Sequence, residues 1–576
     1  MQIITVRKIS QIFFFVLFIW FCIVNTVGSS FWQLRGWPVN FFLQLDPLVA
    51  ISTILSTHTL YFKLLWAVPV IILTILFGRF FCSWLCPFGS LHHFVSYLAH
   101  KNKKVSEKIE LNKYRKSQVI KYYILIVFLI SAAFPFASKS LQIGLLDPIP
   151  LFTRTINLVI LPIADSVTKI TFPVKRYYEG AWIIFLIFIT ITLLNIYIPR
   201  FFCRFLCPLG ALMGLVSRFA IFRFGQNENK CHGCRACEKS CEGGCEPAGE
   251  IKQSECVLCF KCQSDCVHNT ISYQTQVSTA GEITGPEMSR RAFLTTLGSG
   301  VLLMPAVRLS GLTAANWSHN TIRPPGTLPE QQFLERCLKC GQCMRICPTN
   351  VIQPGNLSAG LENLWTPILN FRTGTSGCQY NCVACGQSCP TAAIKPITLN
   401  EKHGKGTFKK KGPIRIGTAF VDRSRCLPWV KNIPCIVCQE NCPVSPKAIY
   451  TDEIFSTIRN GKLSVRTVKG KEVTLHKPVL TQGTLESGDY FLLVNNNVYK
   501  ITANTSDMIT VSKNITATNI AKVAVQIKLQ RPYIDIKQCI GCGICEHECP
   551  VHGKKAIRIS AEGESRSPEK KLILRK

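Results

Sequence analysis

The sequence predicts an α+β chain: a polytopic helical membrane region, small cysteine-rich modules, and a small inserted all-β subdomain. Three observations predict it. Four apolar stretches crowd the first third of the chain, six runs of regularly spaced cysteines come after them, and one long cysteine-free stretch alternates apolar and polar residues as strands do.

The apolar stretches run 12–27, 60–77, 122–136 and 181–198 and are long enough, or nearly so, to cross a bilayer. The linker between the second and third carries Lys101, Lys103, Lys104, Lys108, Lys113, Arg115, Lys116 and Lys121. A basic linker of this kind stays in the cytoplasm, which puts Arg7, Lys8 and the chain after the fourth stretch on the same side. The expected location is a bacterial inner membrane, crossed several times.

This region is duplicated. Arg79-Phe-Phe-Cys82-Ser-Trp-Leu-Cys86-Pro87-Phe-Gly89 aligns without a gap on Arg200-Phe-Phe-Cys203-Arg-Phe-Leu-Cys207-Pro208-Leu-Gly210, and Asp46-Pro47 and Asp147-Pro148 stand upstream of each. Duplicated helical units often frame a site between them. Cysteines at i and i+4 share a helix face, so Cys82, Cys86, Cys203 and Cys207 are candidates for redox thiols, metal ligands or small packing residues. Asp46, Asp147 and His58 are candidate proton acceptors at membrane depth, the Asp-Pro pairs also being natural helix caps. Cys22 stands alone in the first span and reads as packing.

Thirty cysteines in the chain are far more than a core uses. After the fourth span come Cys231-x2-Cys234-x2-Cys237-x3-Cys241 and Cys256-x2-Cys259-x2-Cys262-x3-Cys266. In this spacing three thiolates wrap one [4Fe–4S] cubane and the fourth ligates the neighbouring one. One cluster is therefore expected on Cys231, Cys234, Cys237 and Cys266, the other on Cys256, Cys259, Cys262 and Cys241, with Cys245 as an alternative to Cys241. Zinc sites use two separated pairs and do not match.

Four more runs come later in the chain: Cys337, Cys340, Cys343 and Cys347; Cys378, Cys382, Cys385 and Cys389; Cys426, Cys435, Cys438 and Cys442; Cys539, Cys542, Cys545 and Cys549. Each ends in Cys-Pro. They imply four further clusters, about six in all; a nested pairing (first run with fourth, second with third) suits the altered spacing of the inner two better than sequential pairing does, and either way all sixteen cysteines are ligands. Short segments at Ala448–Tyr450 and Ala556–Ile559 read as the strands of small β-α-β wraps.

Between the third and fourth runs, residues 462–468, 472–476, 490–494, 498–501, 508–511 and 523–529 read as strands of an inserted subdomain. Upstream, Ser289-Arg290-Arg291-Ala292-Phe293-Leu294 opens a moderately apolar stretch and resembles a twin-arginine export signal, which would make 292–307 a fifth span and place the rest of the chain outside. The domain plan is thus 1–225 membrane domain, 226–275 cytoplasmic two-cluster domain, 276–325 linker with signal, and 326–576 four-cluster domain with a β-rich insert at about 451–530.

The formal charge of +33 does not signal nucleic-acid binding, since no recognition motif accompanies it. Six clusters at −2 each would offset about −12 of it. No Cys-x2-Cys-His calls for haem c, no glycine-rich loop for a nucleotide, and no kinase or DNA-binding segment for a sensor.

With these motifs in view, the chain resembles a fusion of two accessory ferredoxins. Residues 1 to about 275 resemble the NapH type, whose membrane half the NosR proteins share; residues from about 289 onward resemble the NapG and MauM type. The resemblance implies a quinol dehydrogenase component that draws on the quinone pool and passes electrons to a periplasmic reductase or cytochrome. The alternative is a factor for redox assembly or maturation of a respiratory metalloenzyme.

Overall fold

A computed structural model describes residues 3–26, 37–133, 141–168, 175–227, 231–286, 288–289, 291–298, 321–357, 360–517 and 520–567. Arg290 and most of the expected fifth span, 299–307, lie outside the described residues. Two compact units emerge. The described residues of Met1–Asn370, Asn381–Ile414 and Arg566–Glu569 form the first, and those of Phe371–Tyr380 and Arg415–Ser565 belong to the second. The stretch 326–576, expected as one domain, is divided between them.

The first unit is built on helices α1 (Ile3–Val24), α2 (Pro47–Thr57), α3 (Ala67–Phe77), α4 (Pro87–His100), α5 (Ile120–Ala133), α6 (Pro148–Thr168), α7 (Ala181–Leu193) and α8 (Pro208–Ser217). Proline at N1 starts α2, α4, α6 and α8, where its missing N–H costs nothing and its fixed φ suits the helix. One face of α1 buries Phe18, Phe21 and Cys22 in the core, with Phe18 stacked on Phe152 at 4.9 Å. Its other face exposes Ile9, Ile12, Phe13, Val16 and Trp20, as a lipid-facing helix does.

By length and composition three described helices can cross a membrane: Ile3–Val24, Lys116–Ala133 and Pro148–Thr168. Two coincide with expected spans. The expected spans 60–77 and 181–198 form shorter apolar helices, and α6 lies in what reads as an outer loop. It escapes a hydropathy reading because Pro148, Pro150, Arg154, Pro162 and Asp165 dilute it; all five are buried against protein.

Two cysteine modules belong to this unit, and α1 measures the distance between them. Near its start, Arg7 Nη1 donates to Ser83 Oγ (2.9 Å) and Ser10 Oγ to the Trp84 carbonyl, while Trp84 Nε1 donates to the Leu258 carbonyl (3.1 Å) in the 231–266 module. Just past its end, Asn25 Nδ2 bonds Gln342 in the 337–347 loop. Asn25 stands 18 residues after Arg7, roughly 27 Å along a helix at 1.5 Å per residue.

In the second unit β1 (Ile449–Lys469), β2 (Glu472–Leu475), β3 (Tyr490–Val494), β4 (Asn497–Asn504), β5 (Met508–Val511) and β6 (Lys522–Ile534) close into an antiparallel barrel of order β3-β4-β5-β2-β1-β6. Its core is Val473, Leu492, Ile501, Ile509 and Val525, among others, from inward-facing alternate positions. The long pair β1–β6 starts at the cysteine loops, Ile449 facing Ile534. A smaller pair, Thr418–Val421 with Ile557–Ser560, flanks those loops.

Candidate iron–sulfur sites and a cavity beside them

The four unaltered Cys-x2-Cys-x2-Cys loops wind in the same way. The residues just before and just after the middle cysteine are left-handed in each: Gly233 and Arg235, Leu258 and Phe260, Lys339 and Gly341, Gly541 and Gly543, all with φ between 52° and 77°. Alternating hands turns successive N–H groups inward, the geometry of an anion-binding nest. Leu258 and Phe260 adopt it without being glycine, a conformation that persists only where the surroundings impose it.

Cys231, Cys234, Cys237 and Cys266 line one small cavity, with Thr270 donating its amide to Cys266 Sγ (3.4 Å). Beside it, Cys241 lies within electrostatic range of Cys256, Cys259 and Cys262. Cys245 sits 3.2 Å from Cys241 and also touches Cys256. Five thiols therefore share this second position, Cys241 within range of all three of the loop and Cys245 against Cys256.

In the same unit Cys337, Cys340, Cys343 and Cys389 line a third cavity. Cys347 caps the end of the helix carrying Cys343, and Cys385 lies within range of Cys343 on the next helix, Cys382 just before it. In the second unit Cys426, Cys435, Cys438 and Cys549 line a cavity, and Cys442 completes the set of Cys539, Cys542 and Cys545. Cys378 belongs to this unit as well, its amide donating to the Cys542 carbonyl (2.8 Å). The nested pairing is overturned: the fourth cysteine of the second run joins the first run, and the third and fourth runs exchange Cys442 and Cys549. Spacing within a run carries no information about which run folds against it.

The donor sets fit cubanes. Three cavities are each ringed by four thiols. Among the described residues no three Cys, His, Asp or Glu side chains close on a point as a single metal ion requires. Burial pushes the Cys340, Cys438 and Cys542 thiols up to about 12, so loading iron there displaces protons.

The helical body reaches the first module through two carboxylates. Glu255 is buried against Lys121 and accepts from Tyr122 Oη (2.8 Å) and Gln118. Glu242 pairs with Arg200 (2.8 Å), His93 (2.9 Å) and Lys261. Burial alone raises Glu242, but Arg200, Lys261 and His93 outweigh it and hold the carboxyl well below its usual range. At the opposite end of α1 the 337–347 loop is held by Arg154, which donates to the Gly144 and Lys339 carbonyls (2.9 and 3.2 Å), and by the buried pair Arg345–Asp165 (2.6 Å).

A cavity of about 960 Å³ opens between α1, α4 and the 231–266 module, lined by Ile12, Phe15, Phe94, His93, His100, Glu242 and Lys261 among others. Glu242 and Lys261 each adjoin a cysteine of the second cluster position, Cys241 and Cys262. Sequence reasoning missed this cavity, since its walls come from three distant segments. Of the expected proton acceptors, Asp46 and Asp147 meet inside the helical body, Asp46 Oδ1 also capping α2 through the Leu48 amide (2.9 Å). His58, at the far end of α2, is exposed.

A family model described as a 4Fe-4S binding domain matches residues 59–106 and 180–226, and a second of the same description matches 332–353. The chain is 31% identical over 205 residues to the uncharacterized protein MJ0749 of Methanocaldococcus jannaschii, covering 35% of this chain and 67% of that one. It is 26% identical over 256 residues to the putative electron transport protein YccM of Escherichia coli (43% and 66% covered). It is 29% identical over 191 residues to the methylamine utilization ferredoxin-type protein MauM of Methylorubrum extorquens (32% and 80% covered). No solved structure matches.

Proposed function

Because this chain belongs to the same family as MJ0749 and carries segments that match 4Fe-4S binding domains, we propose that it carries electrons from membrane quinol, through about six [4Fe–4S] clusters, to an acceptor on the far side of the membrane. One observation carries the reading: cysteine loops of cluster-binding geometry stand at both ends of α1. The bound clusters supply one-electron carriers. The chain supplies their thiols, the apolar body between them, and the cavity.

That cavity is the quinol site in this reading. Its apolar wall (Ile12, Phe15, Phe94) suits a prenyl tail, and His93 and His100 are placed to take the two protons that quinol loses with its two electrons. Glu242 and Lys261 put the site one residue from two cluster ligands. Asp46 and Asp147 serve the helical body as a cap and a buried pair.

The membrane topology we propose has four crossings, α1, the apolar helix Phe62–Phe77, α5 and α7, with a fifth at 292–307 behind the twin-arginine-like segment. Supporting this, 67% of the α6 window is buried inside the protein, against 28% for α1 and 39% for the Lys116–Ala133 helix, so α6 fills the body instead of facing lipid. The 231–266 module is then cytoplasmic and the later modules periplasmic, the arrangement of a NapH-like half joined to a NapG- or MauM-like half in a cytoplasmic membrane. The partner is a periplasmic reductase or cytochrome.

Adding quinol to anaerobic membranes that contain the protein should bleach the cluster absorbance and raise the signals of reduced clusters; unchanged spectra would overturn the reading. The maturation alternative separates from it cleanly: it predicts that loss of the protein leaves a partner enzyme without its cofactor while quinol fails to reduce the clusters.

A further inference from the structure

The proposed electron path makes no use of the duplicated Cys-x3-Cys-Pro units. In each, an arginine (Arg79, Arg200) opens a single helical turn bearing the first cysteine (Cys82, Cys203). The second cysteine (Cys86, Cys207) then caps the next helix, α4 or α8, its sulfur accepting from the amide of Gly89 (3.4 Å) or Gly210 (3.2 Å). The fold brings both units together: Cys86 lies within electrostatic range of Cys82 and Cys203, and Cys207 within range of all three others. The four thiols are free, Cys86 and Cys207 buried and the other two half-buried.

Two buried cations face this quartet. Arg79 lies within range of Cys82 and Cys207, and Arg200 within range of Cys203 and Cys82. Both side chains are almost wholly buried; Arg200 meets Glu242 through Nε and Arg79 donates through Nη1 to the Ser254 carbonyl, yet Nε of Arg79 and Nη1 and Nη2 of Arg200 have no hydrogen-bond partner. Buried unpartnered guanidinium donors are costly, and Glu242 reaches only one edge of Arg200, so further negative charge belongs beside the pair. Neutral thiols do not supply it. Four thiolates on a cubane carry about −2 and do.

The family matches sharpen the point. The segments 59–106 and 180–226 each match a 4Fe-4S binding domain, but each holds only one cysteine pair of this kind. Neither can ligate a cubane alone; the two together can.

We propose that Cys82, Cys86, Cys203 and Cys207 ligate a seventh [4Fe–4S] cluster, shared between the two repeats, with Arg79 and Arg200 balancing its charge. The inference rests on the iron–sulfur loading of the chain and not on quinol being the donor. Backbone N–H donation to Cys86 and Cys207 and the two guanidinium groups stabilise its reduced, more negative state.

The test is the iron and acid-labile sulfide content of the full chain, purified anaerobically in detergent, with electron paramagnetic resonance of the reduced protein. The expected wild-type content is about 28 of each, falling to about 24 in Cys86→Ser/Cys207→Ser with the other signals retained. A second variant, Arg200→Gln, should keep the iron and shift the midpoint potential of one signal downward. A wild-type content of about 24 that the double variant does not change overturns the proposal, as does a disulfide within either pair by mass spectrometry of the isolated protein. A wild-type content far below 24 overturns the ferredoxin loading itself and the seventh cluster with it.

Discussion

At the residue scale the cysteine loops are the part of the protein most open to reading from sequence, because a cubane is wrapped by local chain and local chain sets the x2 spacing. The left-handed positions beside each middle cysteine come from the same wrap, and they make a sharp prediction. Gly541 has φ +72°, and a Cβ there would meet backbone atoms of Gly417 at 2.4–2.6 Å. Gly541→Ala should therefore lose the cluster of Cys539, Cys542 and Cys545, seen as about four fewer iron atoms per chain with the Cys231–Cys266 signals intact. A second residue-scale prediction concerns acid. Burial opposes ionisation of Glu330, but Arg323 (2.5 Å) and Arg566 (2.6 Å) overcome it and hold the carboxyl at about 2. Its folded value is depressed below the unfolded one of about 4.3, so its stabilisation is complete above that value and is lost as pH falls toward 2. The gap in melting temperature between wild type and Glu330→Gln should be present at pH 6 and narrow at pH 3.

At the element scale legibility was mixed, for reasons that differ by element. The expected spans overlapping α1 and α5 were plain because an unbroken apolar run is their only signature. Helix α6 was hidden because its prolines, Arg154 and Asp165 are compensated by neighbours distant in sequence, Asp165 by Arg345 among them. That pair is buried, with side chains 3% and 0% exposed. Asp165→Ala should cost about 3–5 kcal/mol by stranding the buried guanidinium. Limited proteolysis should then cut earlier around 337–347, and a cleavage rate equal to wild type would count against this anchoring. The barrel is a separable element in a different sense. Its β1 and β6 strands run out from the cysteine loops as a paired ribbon, Ser456 facing Ile527. Joining those two residues through Asn-Gly removes the closed barrel and keeps the ribbon's base. Iron content should stay at the wild-type level, because no cysteine lies between Cys442 and Cys539. A drop by about eight iron atoms would instead make the barrel part of the cluster fold.

At the scale of the whole molecule, nothing in the spacing of the cysteines told which runs would pair, nor that α1, α4 and the 231–266 module would enclose a cavity; both depend on how distant segments pack. What the packing adds is a direction that can be tested. On the proposed path electrons enter at the cavity, meet the Cys256–Cys262 loop first, since Glu242 and Lys261 line the cavity, and reach the Cys337–Cys343 loop near the other end of α1 last. Two serine variants then behave differently in the same assay. Cys340→Ser disturbs the cluster at the far end and should leave the 231–266 pair reducible by quinol at the wild-type rate, while transfer onward to an added acceptor stops. Cys262→Ser disturbs the near end and should abolish quinol-driven reduction of every cluster, although dithionite still reduces those that remain. Freeze-quench spectra of both variants decide it: quinol-driven reduction surviving in Cys262→Ser would move the entry point away from the cavity, and with it the assignment of His93 and His100 to the protons.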